Sequence, residues 1–174
     1  MELVKEINFG VDIKELQHFT LQYLKHDFAI RMNGFSLQHR NDVVDPWNFV
    51  DGLESGKLYQ NLFSEKEFST INEKFINTEF ERIINHFSLF RTRIMIMDGK
   101  TCYSLHQDTT WRLHIPINTN DNCFFYFPKH KQDFRLEQGK AYLVNTTEKH
   151  TFVNTAYEDR AHLVGCIDNK DYLC

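Results

Sequence analysis

The chain has 174 residues, with 24 acidic against 20 basic side chains and a formal net charge of −4. That length is enough for one domain with its own core. The negative balance, with no Lys/Arg run, excludes an electrostatic grip on nucleic acid or on an anionic membrane surface. The opening stretch, MELVKEINFGVDIKEL, carries acids early and has no long apolar run, so neither a signal peptide nor a membrane span is expected, and a cytoplasmic setting is. Cys102, Cys123, Cys166 and Cys174 show no CxxC or zinc-finger spacing and read as free thiols in a reducing compartment. Sixteen Phe against seven Gly and three Pro point to an aromatic-rich β core.

In chain order, ELVKEINF reads as a short strand. The segment from Asp12 to His26 spaces Ile13, Leu16, Phe19, Leu21 and Leu24 as a helix does, with Asp12 placed to cap it. FAIRMNGFSLQHR alternates on both sides of Asn33-Gly34 and predicts a hairpin. From Asn41 to Gly56, Pro46 and two glycines break any periodicity, so this is expected to be a long loop, with Trp47 and Phe49 available to close over a site. The segment from Glu65 to Phe87 predicts a second helix, capped by Ser64, whose Phe68, Ile71, Phe75, Phe80, Ile83, Ile84 and Phe87 face the core. Beyond Ser88 the texture turns to short β runs over 91–97, 103–107, 111–117, 123–127, 140–144, 150–154 and 160–167, divided by turns such as Asp98-Gly99. Many short strands without crossover helices mean antiparallel sheets, closed or sandwiched.

Chemistry concentrates in the second half. In SLHQDTT, His106 and Asp108 lie two residues apart, so on an extended strand both side chains leave one face and can grip one ion. His150, in TEKHTFVN, is the third candidate ligand. Two histidines and a carboxylate on one side of a metal make the facial triad of non-haem Fe(II) oxygenases, which leaves positions open for co-substrate and O2. Any one of the nine histidines is by itself an ordinary surface or core residue, and His18, His26, His39, His86 and His130 are read so.

The strings RIMIMDG, HQD, RLHIPI, GKAYLVNTTEKHTFVN and RAHLVGCID, over about the last half of the chain, resemble the Fe(II)/2-oxoglutarate-dependent oxygenases of the aspartyl/asparaginyl β-hydroxylase and free-proline hydroxylase group. HxD, a distant His, and an Arg ten residues later each match a separate part of that pattern. The resemblance implies a mainly β fold with flanking helices, a double-stranded β-helix (jelly-roll, cupin-like). A catalytic core over 91–167 would be supported by residues 1–90, in one oxygenase domain over 1–174. It implies Fe(II), 2-oxoglutarate and O2 as cofactors, with His106, Asp108 and His150 as metal ligands. Arg160 falls where the group places the arginine for the distal carboxylate of 2-oxoglutarate, a role suited to a guanidinium fork. Arg112 falls in the active-site region, within reach of a substrate or co-substrate carboxylate, and His114 and His162 would complete a polar lining. Alternation puts Arg112 with His114 on one face of RLHIPI, and Arg160 with His162 on one face of RAHLVGC, so both polar faces should look into the barrel. Three residues separate Asp108 from Arg112, a shorter link than relatives commonly have.

The expected reaction is hydroxylation of an unactivated C–H, since the carboxylate that related halogenases lack is present at Asp108. A free amino acid or similar small carboxylate is the expected substrate, because little of the chain is left over to grip a folded protein. A side chain in a peptide or protein is the alternative. A non-catalytic metal-containing β-barrel binding module is the rival of another class, and it has no evident need for both Asp108 and Arg160.

Overall fold

The computed structural model describes residues 2–25, 33–42, 63–169 and Tyr172. Twelve strands and two α-helices are present among the described residues. β1 (Val4–Ile7) leads into α1 (Ile13–Tyr23), where the Asp12 carboxylate accepts from the Glu15 amide at the helix start. β2 (Gly34–Ser36) and β3 (Gln38–His39) follow the turn at Asn33. The hairpin expected at Asn33-Gly34 has its first strand outside the described residues; its second, β2, pairs with β5.

The helix expected from Glu65 to Phe87 is not continuous. It opens with a 3-10 turn at Glu65–Glu67, where Ser64 and Glu67 form the reciprocal cap that the sequence implied at Ser64. β4 (Thr70–Ile71) then pairs with β3, a second 3-10 turn (Glu73–Phe75) starts at Asn72, and only Glu79–Phe87 is α-helical, α2. The interruption has local causes. Asn72 is fully buried and caps the second turn through its side chain, and Asn77 takes a left-handed φ of 61° just before α2. The apolar spacing that reads as one helix thus runs through four short elements, and all of its residues but Phe68 share the helix-facing core.

β5 (Phe90–Met97), β6 (Thr101–Cys102), β7 (Trp111–Asn118), β8 (Cys123–Phe127), β9 (Gln132–Phe134), β10 (Ala141–Val144), β11 (Thr151–Asn154) and β12 (Arg160–Ile167) complete the chain. They form a six-stranded sheet, β1-β10-β7-β12-β5-β2, and a four-stranded sheet, β6-β11-β8-β9, with every pairing antiparallel. This is a double-stranded β-helix, a jelly-roll backed by helices. Residues 103–107, expected to be a strand, carry one isolated bridge, at His106 with His150, while β6 and β9 lie outside the expected runs.

Alternation along the large sheet builds two cores. Leu113, Ile115 and Ile117 of β7 and Leu163 and Ile167 of β12 face α1 and α2, meeting Leu16, Phe80, Ile83 and Phe87. Each such apolar side chain contributes roughly 1.5–3 kcal/mol on burial. The helices are also tied to each other, since the Glu79 amide donates to Glu15 and the Asp12 amide donates to Glu79, both at 2.9 Å. The opposite face of the large sheet meets the small one through Met97, Tyr142, Val144, Phe125, Phe127 and Phe152. Arg112, His114, Arg160 and His162 alternate out of phase with the helix-facing residues, so they belong to this second space, between the sheets.

The described cysteines, Cys102, Cys123 and Cys166, are free. No helix among the described residues is long and apolar enough to cross a membrane. The loop expected to close over the site, 41–56, lies outside the described residues from 43 onward.

Candidate active site

His106 and His150 are joined backbone to backbone. The His106 amide donates to the His150 carbonyl at 3.0 Å and the His150 amide returns the bond at 2.8 Å. The Asp108 amide then donates to the Thr146 carbonyl at 2.8 Å, so the two segments that carry the candidate ligands run beside each other without a full strand between them. One ligand atom from each of His106, Asp108 and His150 lies within 4.8 Å of the others, close enough for one ion.

The rings are held as ligands need to be. His106 Nδ1 is 2.7 Å from the Ser104 carbonyl and His150 Nδ1 is 2.9 Å from the Glu148 carbonyl. A carbonyl can only accept, so each Nδ1 carries the proton and each Nε2 keeps its lone pair. Burial pushes the His150 pKa down, and the Glu148 carbonyl only partly offsets it, which keeps that ring neutral and able to coordinate.

Arg112 bridges the trio to a buried ion-pair network. Its Nε lies 3.3 Å from Asp108 Oδ2 and its Nη2 lies 2.8 Å from Glu65 Oε1. Glu65 also pairs with Arg91, and its Oε2 accepts from Thr109 at 2.9 Å and from Thr110 at 3.2 Å. Burial alone would raise the Glu65 pKa, but Arg112 and Arg91 outweigh it and hold the carboxyl at about 2. The short link from Asp108 to Arg112 therefore has a structural result: the guanidinium faces protein carboxylates on two sides.

Arg160, His162 and His114 lie together between the sheets. Arg160 is 2% exposed, with its guanidinium 4.3 Å over the Phe152 ring and beside Tyr103, and its Nε and Nη1 are buried without hydrogen-bond partners. Burial lowers its pKa, offset in part by Tyr103. His162 Nδ1 and His114 Nδ1 approach to 3.4 Å, and burial and then Arg160 push both rings well below the usual histidine pKa, so both are neutral. His162 Nε2 also lacks a partner. Buried donors are costly unless something accepts from them. The unmatched donors of Arg160 are what a bound carboxylate would satisfy, so the residues present fit both a divalent metal at the trio and a dicarboxylic co-substrate reaching toward Arg160.

The model of the aspartyl/asparaginyl beta-hydroxylase family matches residues 63–169. The chain belongs to the aspartyl/asparaginyl β-hydroxylase family. The match agrees with the resemblance read from the sequence, which implied Fe(II), 2-oxoglutarate and O2 as cofactors. A search of curated proteins finds no significant match. Among solved structures, the chain is similar to plu4264 of Photorhabdus luminescens at 19% identity and a TM-score of 0.37, over 47% of this chain and 65% of that one. It is similar to a 2OG-Fe(II) oxygenase family protein of Burkholderia pseudomallei at 15% identity and a TM-score of 0.41, over 53% of each chain. A third similarity is to the viral collagen prolyl hydroxylase of Paramecium Bursaria Chlorella virus-1, at 9% identity and a TM-score of 0.46, over 95% and 97%. The chain thus spans about two thirds and about half of the first two of these structures.

The structure brings all seven residues singled out in the sequence to one space between the sheets or its edge. Sequence reasoning missed four others: Glu65, Tyr103, Phe152 and Arg93. The signal for Glu65 was absent, since nothing local links a residue beside a helix cap to an arginine 47 positions away. Arg93 was legible in principle, because RTR at the start of β5 puts two cations two residues apart in a strand.

Proposed function

We propose that the protein hydroxylates an unactivated C–H of a free amino acid or similarly small carboxylate, using 2-oxoglutarate and O2 at the His106, Asp108 and His150 centre. The observation that carries this reading is the pairing, within one jelly-roll, of a three-ligand cluster with both imidazoles held in the coordinating tautomer and a buried Arg160 whose donors are unmatched. A metal bound there supplies redox activation of O2 coupled to oxidation of the co-substrate.

The chain's own residues do the rest. Asp108, His106 and His150 would hold the metal. Arg160 receives the distal carboxylate of 2-oxoglutarate, and its position over Phe152 removes it from water, where a charge-assisted hydrogen bond is stronger. His114 and His162, neutral and buried, line the path between metal and Arg160 without adding charge. Arg112 acts as a positioning residue, holding Asp108 while it is itself held by Glu65. Phe125, Phe127 and Phe152 exclude water from the space where a reactive oxidant would otherwise be quenched. The excess of arginine over carboxylate beside Asp108 supports an acidic substrate.

The test is succinate release from 2-oxoglutarate with Fe(II), first alone and then with a panel of free amino acids and small peptides, followed by mass spectrometry. A gain of one oxygen on a free amino acid, dependent on 2-oxoglutarate, is expected. Stimulation by peptides and not by free amino acids would transfer the reading to a side-chain hydroxylase, and no succinate under any condition would sink it.

A further inference from the structure

We infer that Arg93 binds a carboxylate of the substrate and so fixes which carbon faces the metal; this rests on the oxygenase reading above and deepens it. Arg93 stands on the inner face of β5, paired across to Val164 on β12. Its Nε meets only the Met95 sulfur, at 3.3 Å, and its Nη1 is buried with no hydrogen-bond partner. Among the described residues no carboxylate lies within ion-pair distance of it. Its cationic neighbours differ in this respect: Arg91 pairs with Glu65, and Arg112 with Glu65 and Asp108. Three arginines thus face two carboxylates, and the surplus positive charge resides on Arg93. Burial and then Arg91 bring its pKa down to about 10, so it remains a cation at neutral pH. Arg93 is half-buried, so water reaches part of the side chain, but its sealed Nη1 has no protein acceptor, and an unmatched buried donor is costly in an arginine that serves the fold alone.

The backbone is built around this group at some cost. β5 and β12 slip register between Val164 and Cys166, so that Arg91 and Thr92 together oppose Gly165. Arg91 takes a left-handed φ of 50° there. A bulge re-aims the residues beside it, and positive φ on a bulky side chain is found chiefly where a site demands it. Gly165 leaves room opposite the bulge, since a Cβ there would meet the Leu89 side chain at 2.7 Å and the Thr92 hydroxyl at 3.0 Å.

Position separates Arg93 from the co-substrate clamp. Arg160 pairs with Met97 and Val164 with Arg93, four residues further along β12, or about 13 Å at the strand rise. The two unmatched guanidinium groups therefore stand at opposite ends of one inner wall, and Arg93 is at the end that carries Arg112 and Asp108. One surplus charge and one planar fork suit a carboxylate monoanion, since Glu65 and Asp108 together already match Arg91 and Arg112, the neighbours that a phosphate dianion would need.

The test uses the full chain loaded with Mn(II) and saturated with 2-oxoglutarate, without O2, as wild type, Arg93→Met and Arg93→Lys. Thermal unfolding is followed while acetate, L-proline, L-aspartate, L-asparagine and the α-carboxamides of these amino acids are titrated in. Without added carboxylate, Arg93→Met is expected to unfold at a higher temperature than wild type, because a half-buried cation with an unmatched Nη1 has been removed. At least one carboxylate should raise the wild-type midpoint, its carboxamide should not, and apparent affinity should fall on the order of 30-fold in Arg93→Met. Arg93→Lys should recover part of that loss. Destabilised Arg93→Met would make Arg93 a structural residue and overturn the inference. So would absence of a carboxylate response in wild type, or an equal response in the variant. Failure of the oxygenase reading shows separately, as no succinate from wild type with Fe(II) and O2.

Discussion

At the scale of single residues, the candidate centre is defined by which polar atoms have partners and which do not. Both histidine Nδ1 atoms are occupied by carbonyls two residues upstream, so each Nε2 is left free for coordination by the chain's own backbone. Arg160 is the converse case, a fully buried side chain with two donors left open. If those donors serve 2-oxoglutarate, Arg160→Ala should keep its metal and weaken co-substrate binding by about 2–5 kcal/mol, the range for losing one partner of a buried charge pair. Anaerobic titration of the metal-loaded variant measures this, and unchanged affinity would move the carboxylate clamp elsewhere. Arg112 fell within the family pattern, but its partners, Glu65 above all, are visible only in three dimensions. Carboxylates already engage it, which is why the surplus cation is found at Arg93 instead.

At the scale of elements, the 3-10 turn at Glu65–Glu67 is tied to β5 and β7 by one carboxylate, since Glu65 joins Arg91 to Arg112. Its folded pKa of about 2 lies below the ordinary 4.5, so this linkage contributes stability above about pH 4.5 and loses it as pH falls towards 2. The shift corresponds to about 3 kcal/mol at neutral pH. Glu65→Gln should be destabilised by that order at pH 7 and should approach wild type at low pH; urea unfolding at both ends of the range checks it, and a pH-independent difference would contradict the linkage. The same turn shows where sequence reading stops. Strands β1, β5, β7, β8, β10, β11 and β12 were legible because alternation and turn residues are local signals, and Asp12 and Ser64 were legible as caps for the same reason. The break of the second helix was not, because Thr70 and Ile71 leave helical geometry to pair with β3, a tertiary bond that apolar spacing does not encode. The HQD segment was expected in a strand and instead holds its geometry through one bridge and the bond from Asp108 to Thr146, which only His150 and its neighbours provide.

At the scale of the whole molecule, metal binding and folding should be linked, because the candidate ligands come from two segments 42 or more residues apart that meet in the folded jelly-roll. The helix-facing core is apolar and does not depend on the ion: Leu16, Phe80, Phe87, Leu113 and Leu163 are fully buried against one another. The inter-sheet space is different, since it holds Arg160, His162 and Arg112 beside its aromatics, and Arg160 and His162 have buried polar atoms without hydrogen-bond partners. A ligand that binds the folded state alone stabilises it by RT ln(1 + [L]/Kd), about 2.7 kcal/mol at a hundred times Kd. For a chain of this size that corresponds to roughly 5–10 °C in the unfolding midpoint. Calorimetry with Mn(II), Ni(II) or Fe(II) under argon should show that rise, and a chelator should reverse it. Asp108→Ala should abolish the rise, since two histidines alone bind a divalent ion weakly, and its Arg112 would then lose one of its carboxylate partners. His39→Ala, whose ring bonds to the Arg40 carbonyl outside the ligand cluster, should keep the full rise. An equal rise in Asp108→Ala and wild type would place the metal elsewhere on the chain, and with it the assignment of the open face between the two sheets as the site of oxidation.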